Sequence, residues 1–165
     1  MTTASGVLHV HSAPPALCPH IEWAVAGIVG MPVDLPWTGQ PAAPGSLRSE
    51  LSWQAKPGTA GAITSALVGW NRLRFEVTEE ASEGCDGVRY SYTPDLGTFT
   101  GVTAANGDIV VPEARLRAAM SLADGGGSVL EAQLQRLLGT AWDNELEPFR
   151  RAGDGAPVRW LNATG

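Results

Sequence analysis

Residues Leu8–Trp23 read LHVHSAPPALCPHIEW, and the hydrophobic period changes within them. Up to His11 the period is two. Leu8 and Val10 point one way while Val7, His9 and His11 point the other, as in a strand with one apolar face. From Pro19 the period becomes helical, with Ile21, Ala24, Val25 and Ile28 on one stripe. Pro19 suits the first helical turn, where a missing N–H is no loss, and Gly30 is a suitable stop. The stretch reads as a strand-to-helix seam. It also holds all three histidines, one of the two cysteines and three prolines, so its chemistry needs separate weighing.

Outward from the seam the pattern repeats. Val33, Leu35 and Trp37 alternate around Asp34 and predict a second strand, at an edge because Pro36 lies inside it. Leu47, Ser49, Leu51 and Trp53 alternate with Arg48, Glu50 and Ser52, a third strand. A helix follows, with Thr59 as its expected cap and Ile63, Ala66, Leu67 and Trp70 as its stripe. Leu73, Phe75 and Val77 alternate with Arg74, Glu76 and Thr78, a fourth strand. Strand, helix, strand, strand, helix, strand is the split βαβ order, so residues 6–80 are expected to form a ferredoxin-like unit, after a disordered N-terminus at 1–5.

Residues 88–165 predict a second unit packed on the first. Val88–Thr93, Thr98–Thr103 and Asp108–Val111 read as a three-stranded β-meander, with a hairpin signal at Asn106-Gly107. Helices follow: one opened by Pro112, one with a capping box at Ser128 and Glu131 and a stripe of Leu130, Leu134, Leu137 and Leu138, and one carrying Trp142, Leu146 and Phe149, with Thr140 and Asp143 as caps. Val158, Trp160 and Leu161 form an apolar tail expected to dock. The expected class is α+β.

With 165 residues, 44% hydrophobic and 17% charged, the chain can bury a core. A net charge of −6 without a basic stripe makes it a poor nucleic-acid or anionic-membrane binder. The strand aromatics Trp37, Trp53 and Phe75 point into the core, not onto the polar face where a single-strand reader needs them. Residues Met1–Ser5 carry no positive charge and no apolar core follows, so no signal peptide is expected. The longest apolar run, Trp23–Val33, is too short to span a membrane. Two cysteines make no disulfide framework, and a cytoplasmic setting with reduced thiols is expected.

Three constellations compete in the seam. His9 and His11 share a strand face, and Cys18, His20 and Glu22 could add metal ligands. The helix, however, packs on the opposite face of the strand, so no metal is expected. Cys18 near a helix N-terminus could be a nucleophile, with His11 the better-placed base and His20 too close in sequence to face it. Small apolar packing is the commoner fate of a free cysteine. An anion cradle is weak, because Pro14, Pro15 and Pro19 remove backbone donors.

The polar sheet face is the remaining candidate, for a ligand or an interface. It displays His9, His11, Asp34, Arg48, Glu50, Arg74 and Glu76, either as a ladder of cross-strand ion pairs or as a pocket closed by the C-terminal half. The Leu130/Leu134/Leu138 helix and the Trp160 tail are the expected cover. Glu50 or Glu76 would raise the pKa of a neighbouring histidine.

The blocks VHSAPPALCPHIEWAVAGIVG, LRFEVTEE, GVRYSYTPDLGTF, GDIVVPEARLRAAM, LGTAWDNELEPFRRAG and GAPVRWL together resemble an actinobacterial family, domain of unknown function 3145, over about Gly6–Leu161. The resemblance implies a lineage and a cytoplasmic setting. It carries no activity, cofactor or catalytic residue. Some members are encoded close to fatty-acid synthesis genes, which implies a role near acyl metabolism.

No cofactor motif and no nucleophile–base–orienter set is present, so the leading expectation is a non-enzymatic binding or regulatory module without a cofactor. Its partner would be an unidentified protein or a small acidic or acyl ligand, and its oligomeric state is left open. An enzyme with a pocket around His9 and His11, using Cys18 or His11, is the first alternative. A structural subunit docking a partner on exposed C-terminal helix stripes is the second.

Overall fold

The change of period in the seam is realised as a strand that runs almost directly into a helix. In the computed structural model, which describes residues 2–152, β1 (Ala4–Ala13) passes through one 3-10 turn (Pro15–Leu17) into α1 (Cys18–Val29). α1 stops at Gly30, whose φ of 77° only glycine adopts without strain. There follow β2 (Thr38–Gly39), β3 (Leu47–Ala55), α2 (Thr59–Leu67), β4 (Arg74–Glu79), β5 (Gly87–Thr93), β6 (Gly97–Thr103) and β7 (Ile109–Val110). The helices α3 (Glu113–Ala123), α4 (Gly127–Leu138) and α5 (Thr140–Arg151) close the described chain. The protein is α+β. Among the described residues, five α-helices accompany one seven-stranded antiparallel sheet in the order β2-β3-β1-β4-β5-β6-β7. No helix among them is long and apolar enough to cross a membrane.

The apolar alternation decides which face each helix covers. α1 and α2 pack together on the face carrying Leu8, Val10, Trp53, Phe75 and Val77, and bury Ile21, Val25, Ile63 and Leu67 against it. Phe75 stacks on Tyr92 of β5 at 5.2 Å between ring centres, which extends this core along the sheet. Glu79 holds the start of α2. Its two carboxylate oxygens accept from the amides of Gly58 (2.8 Å) and Ala60 (2.9 Å), an anion against the positive end of the helix.

Gly6 sits where β1 passes beneath Trp53. A Cβ there would lie 2.0 Å from the Thr78 carbonyl and 2.2 Å from the indole. Gly6→Ala is therefore expected to destabilise by about 3 kcal/mol through overpacking. Urea titration would show it as a lower midpoint with an unchanged slope, and a midpoint within error of wild type would contradict it.

Several sequence expectations are corrected. β1 starts at Ala4, not Gly6, because Ala4 continues the buried alternation and pairs with Ala55 while Ser5 pairs with Gln54; ordered chain thus reaches into the 1–5 segment expected to be disordered. No strand forms over Val33–Trp37. Pro32 and Pro36 remove two ladder donors. The Leu35 amide and the Trp37 indole N–H donate instead to the Glu22 carboxylate of α1, at 3.0 and 2.9 Å. Pairing is confined to Thr38 and Gly39. Thr59 does not cap α2: Gly58 occupies the cap, and the Thr59 hydroxyl donates to the Lys56 carbonyl. No side-chain cap forms at α4 or α5. Gly126 precedes the first, and Gly139 both ends α4 and starts α5, which leaves no room for the Ser128–Glu131 and Thr140–Asp143 pairings.

The cover of the second sheet face also differs from expectation. α5 lies on it, against β1 and β5, and buries Leu146 and Arg150. Among the described residues, α4 buries no side chain. It pairs with α3 as a helical hairpin that leaves Leu116, Met120, Leu122, Val129 and Leu138 exposed. Trp160 and the rest of the apolar tail lie outside the described residues.

Candidate functional site

The period of two carries all the charged candidates of the strands to one face. His9, His11, Arg48, Glu50, Arg74 and Glu76 lie together on the side opposite α1 and α2. His9 stands between Glu50 on β3 and Glu76 on β4. β5 adds Arg89 and Ser91, opposite Thr78 and Glu76, and α5 adds Asp143, Glu145 and Arg150.

At the centre is Glu76, with 0% exposure. Arg150 grips it with both arms, Nε donating to Oε1 at 2.6 Å and Nη2 to Oε2 at 2.8 Å. His11 Nε2 donates to Oε1 at 2.9 Å, and the Ser91 hydroxyl to Oε2 at 2.7 Å. A forked guanidinium–carboxylate pair is the strongest form of this interaction. Arg150 is itself only 1% exposed, and its Nη2 also donates to Asp143 at 2.9 Å. Burial alone would raise the Glu76 pKa, but the hydrogen bonds from His11 and Arg150 outweigh it and hold the carboxyl far below the ordinary carboxylate range. On the same terms, burial would lower Arg150 and the Glu76 pairing reverses it, so the guanidinium is held charged.

Gln40 fastens this centre at one side. Its Nε2 donates to the His11 carbonyl (2.7 Å) and the Phe149 carbonyl (3.3 Å), and its Oε1 accepts from the Ala42 amide (3.0 Å). Arg74 fastens another, with its guanidinium 4.7 Å above the Phe149 ring and Nε 3.5 Å from Glu145.

His9 lies parallel to His11, 5.9 Å between ring centres, with Nδ1 3.7 Å from Glu50. The expectation that a glutamate would raise a histidine here is reversed. Burial, then the neighbouring His11, push His9 down to about 3, against the opposing pull of Glu76. His9 is a neutral imidazole at physiological pH.

A cleft of about 460 Å³ opens beside it, at the end of the sheet away from Gln40. His9, Thr78 and Arg89 line it from the sheet, Glu80 from the segment after β4, and Thr103 and Asn106 from the β6–β7 hairpin. Burial lowers the Arg89 pKa, and Glu76 and Asp143 oppose that fall.

The other seam candidates are not brought here. Cys18 is buried on the helix side and donates to the Pro14 carbonyl at 3.6 Å; burial, then Glu22, push its thiol up. His20 is exposed on α1 beside Trp70, 6.2 Å between ring centres. The sheet thus separates the Cys18 thiol from the two strand histidines, which removes the Cys18–His11 pairing. Among the described residues, no cluster of three or more His, Cys, Asp or Glu side chains is placed to hold a metal ion. Arg89, Ser91 and Arg150 were missed in the sequence. Arg150 had a usable signal: it falls on the Leu146 stripe of an amphipathic helix, and a cation on a buried stripe needs a buried anion.

A sheet with two helices on one face and a charge-locked helix on the other defines a class by architecture, not by chemistry. Family comparison is specific: the family described as "protein of unknown function (DUF3145)" matches residues 7–163, and the chain belongs to it. No curated protein and no solved structure matches the chain.

Proposed function

We propose that the chain is a non-enzymatic binding or regulatory module whose ligand site is the cleft beside His9 and Arg89. The observation that carries this reading is that the potential acid–base groups of the polar face hold the fold. Glu76 accepts four hydrogen bonds from three side chains, and His11 is one of the donors. Arg89 lines the cleft together with the hydroxyl and amide groups of Thr78, Thr103 and Asn106, which suits a small acidic ligand, including the acid or thioester end of an acyl compound. An enzyme acting through His9 is disfavoured, because an imidazole with a pKa near 3 is a weak base at neutral pH.

The fold reading that goes with this is a ferredoxin-like unit over residues 6–80, supported by the antiparallel order β2-β3-β1-β4 with α1 and α2 on one face. A meander is supported by β5, β6 and β7 lying in sequence order. A cytoplasmic setting and a link to acyl metabolism remain part of the proposal.

The test is a thermal-shift and turnover screen with small carboxylates and acyl-thioesters. The expected result is a saturable rise in melting temperature without turnover, lost in Arg89→Gln; at 100 times its Kd a ligand adds about 2.7 kcal/mol. Saturable turnover by the wild-type chain would establish the enzyme reading instead.

A further inference from the structure

Each edge of the sheet ends in a two-residue strand. At one end β7 pairs only with Val102 and Thr103 of β6, and the Trp142 indole N–H donates to the Gly97 carbonyl at 2.9 Å. At the other end β2 pairs only with Leu47 and Arg48 of β3. Beyond them, among the described residues, no strand lies on the side of Ser49–Ala55 that faces away from β1. The stretch carries no proline, no lysine and no bulge, since the register shift opposite it falls in β1, and Glu50 is its one charged side chain.

The direction of its backbone groups follows from the register. The Gln40 amide donates to the Ser46 carbonyl at 3.0 Å, in step with the Thr38–Arg48 pair. In an antiparallel ladder the N–H and C=O of one residue point to the same side, and sides alternate along the strand. From Ser46 and Arg48 it follows that Glu50, Ser52 and Gln54 aim their backbone groups outward, while the odd-numbered residues hold β1. Ser52 and Gln54 are exposed. A groove runs alongside, lined by Leu51 and Trp53 of β3 and by Met31 and Val33 of the segment that forms no strand; Met31 is 60% exposed.

We propose that this edge is the interface of a homodimer, in which β3 pairs antiparallel with β3 of a second copy across a two-fold axis and joins the two sheets. Charge selects the second copy and the register. Centred on Ser52, the pairing would set Arg48 opposite Lys56, two like charges. Centred on Trp53, it sets Glu50 opposite Lys56 twice over, Ser52 opposite Gln54, and Leu51 opposite Ala55. The outward groups of Ser52 and Gln54 then bond each other's copies, and the two Trp53 positions face each other across the axis, with their indoles folded back over Gly6. A two-fold of this kind uses the same edge of both copies and closes on itself.

The test is sedimentation of the full chain over a concentration series. The expected result is a reversible dimer. Ser52→Pro removes an outward N–H without touching the β1 ladder and should raise the dimer dissociation constant at least about 100-fold, with circular dichroism unchanged. Lys56→Glu alters an exposed side chain past the strand end and should raise the constant about 10-fold, which decides the matter if the proline variant does not fold. A chain monomeric at every concentration overturns the proposal, as does a dimer indifferent to both changes. A monomer whose Ser52 and Gln54 amides resist hydrogen exchange would put a segment of the same chain on the edge, and overturns it too.

Discussion

Glu76→Gln is expected to lower stability by about 3 kcal/mol, the cost of leaving a buried guanidinium with only the more exposed Asp143 as its close counter-ion. The substitution keeps the shape of the side chain and removes only its charge, so Arg150 stays buried with its fork facing an amide. Chemical denaturation would read the loss. The Glu76→Gln, Arg150→Met double variant should recover most of it, because both charges then leave together. A single variant within about 1 kcal/mol of wild type would show that the pair contributes no more than an exposed one. The pH dependence has the same origin. Since the Glu76 carboxyl is held below its unfolded value, its contribution is complete above the unfolded pKa of about 4.3 and is lost as pH falls below it. Near-ultraviolet dichroism from Trp142 on α5 should therefore weaken in acid before far-ultraviolet signal from the sheet.

His9 is expected to impose a separate pH dependence at milder acidity. Its folded pKa is pushed down to about 3, whereas the unfolded chain takes up the proton near 6.5. Below that value protons favour the unfolded chain. The contribution is thus complete above about 6.5 and falls as pH descends, by at most about 1.4 kcal/mol per pH unit. Between about pH 5 and 6.5 the carboxylates have not begun to titrate, so a decline there belongs to histidine. In His9→Asn the stability curve should be flatter over that interval. Parallel curves for the two proteins would mean that His9 takes up its proton in the folded chain as easily as in the unfolded one.

Much of the architecture was legible because the strands declare their faces. Leu8 with Val10, Leu51 with Trp53, and Phe75 with Val77 each skip one residue, and the skipped residues are the polar face. The same rule misread Val33, Leu35 and Trp37. Their alternation is real, but α1 binds that segment through Glu22 instead of a neighbouring strand. Period alone does not distinguish an extended segment that pairs from one that leans on a helix. The site was half legible. The polar face could be assembled from the pattern, but the partner of Glu76 lies 74 residues along the chain. Alternation in β4 carries no information about which helix will cross it. Helix ends were the least legible part: Ser128 with Glu131 has the spacing of a capping box, and Gly126 takes the position instead.

The lock on Glu76 has a temporal side as well. A chain is made from its N-terminus, and domains assemble while synthesis continues. The strands β1, β3 and β4 and the helices α1 and α2 are all complete before α5 exists, and the Gln40 staple waits for Phe149, 109 residues later. Without α5, Glu76, His9 and His11 would lack the helix that covers their face of the sheet. α5, the last described helix, both covers that face and carries the cation for Glu76. Arg150 must arrive with that cover, because a shorter helix would bury the carboxylate without its cation. A nascent or truncated chain that stops before Arg150 therefore keeps its polar face open, and that open face distinguishes it from the finished protein.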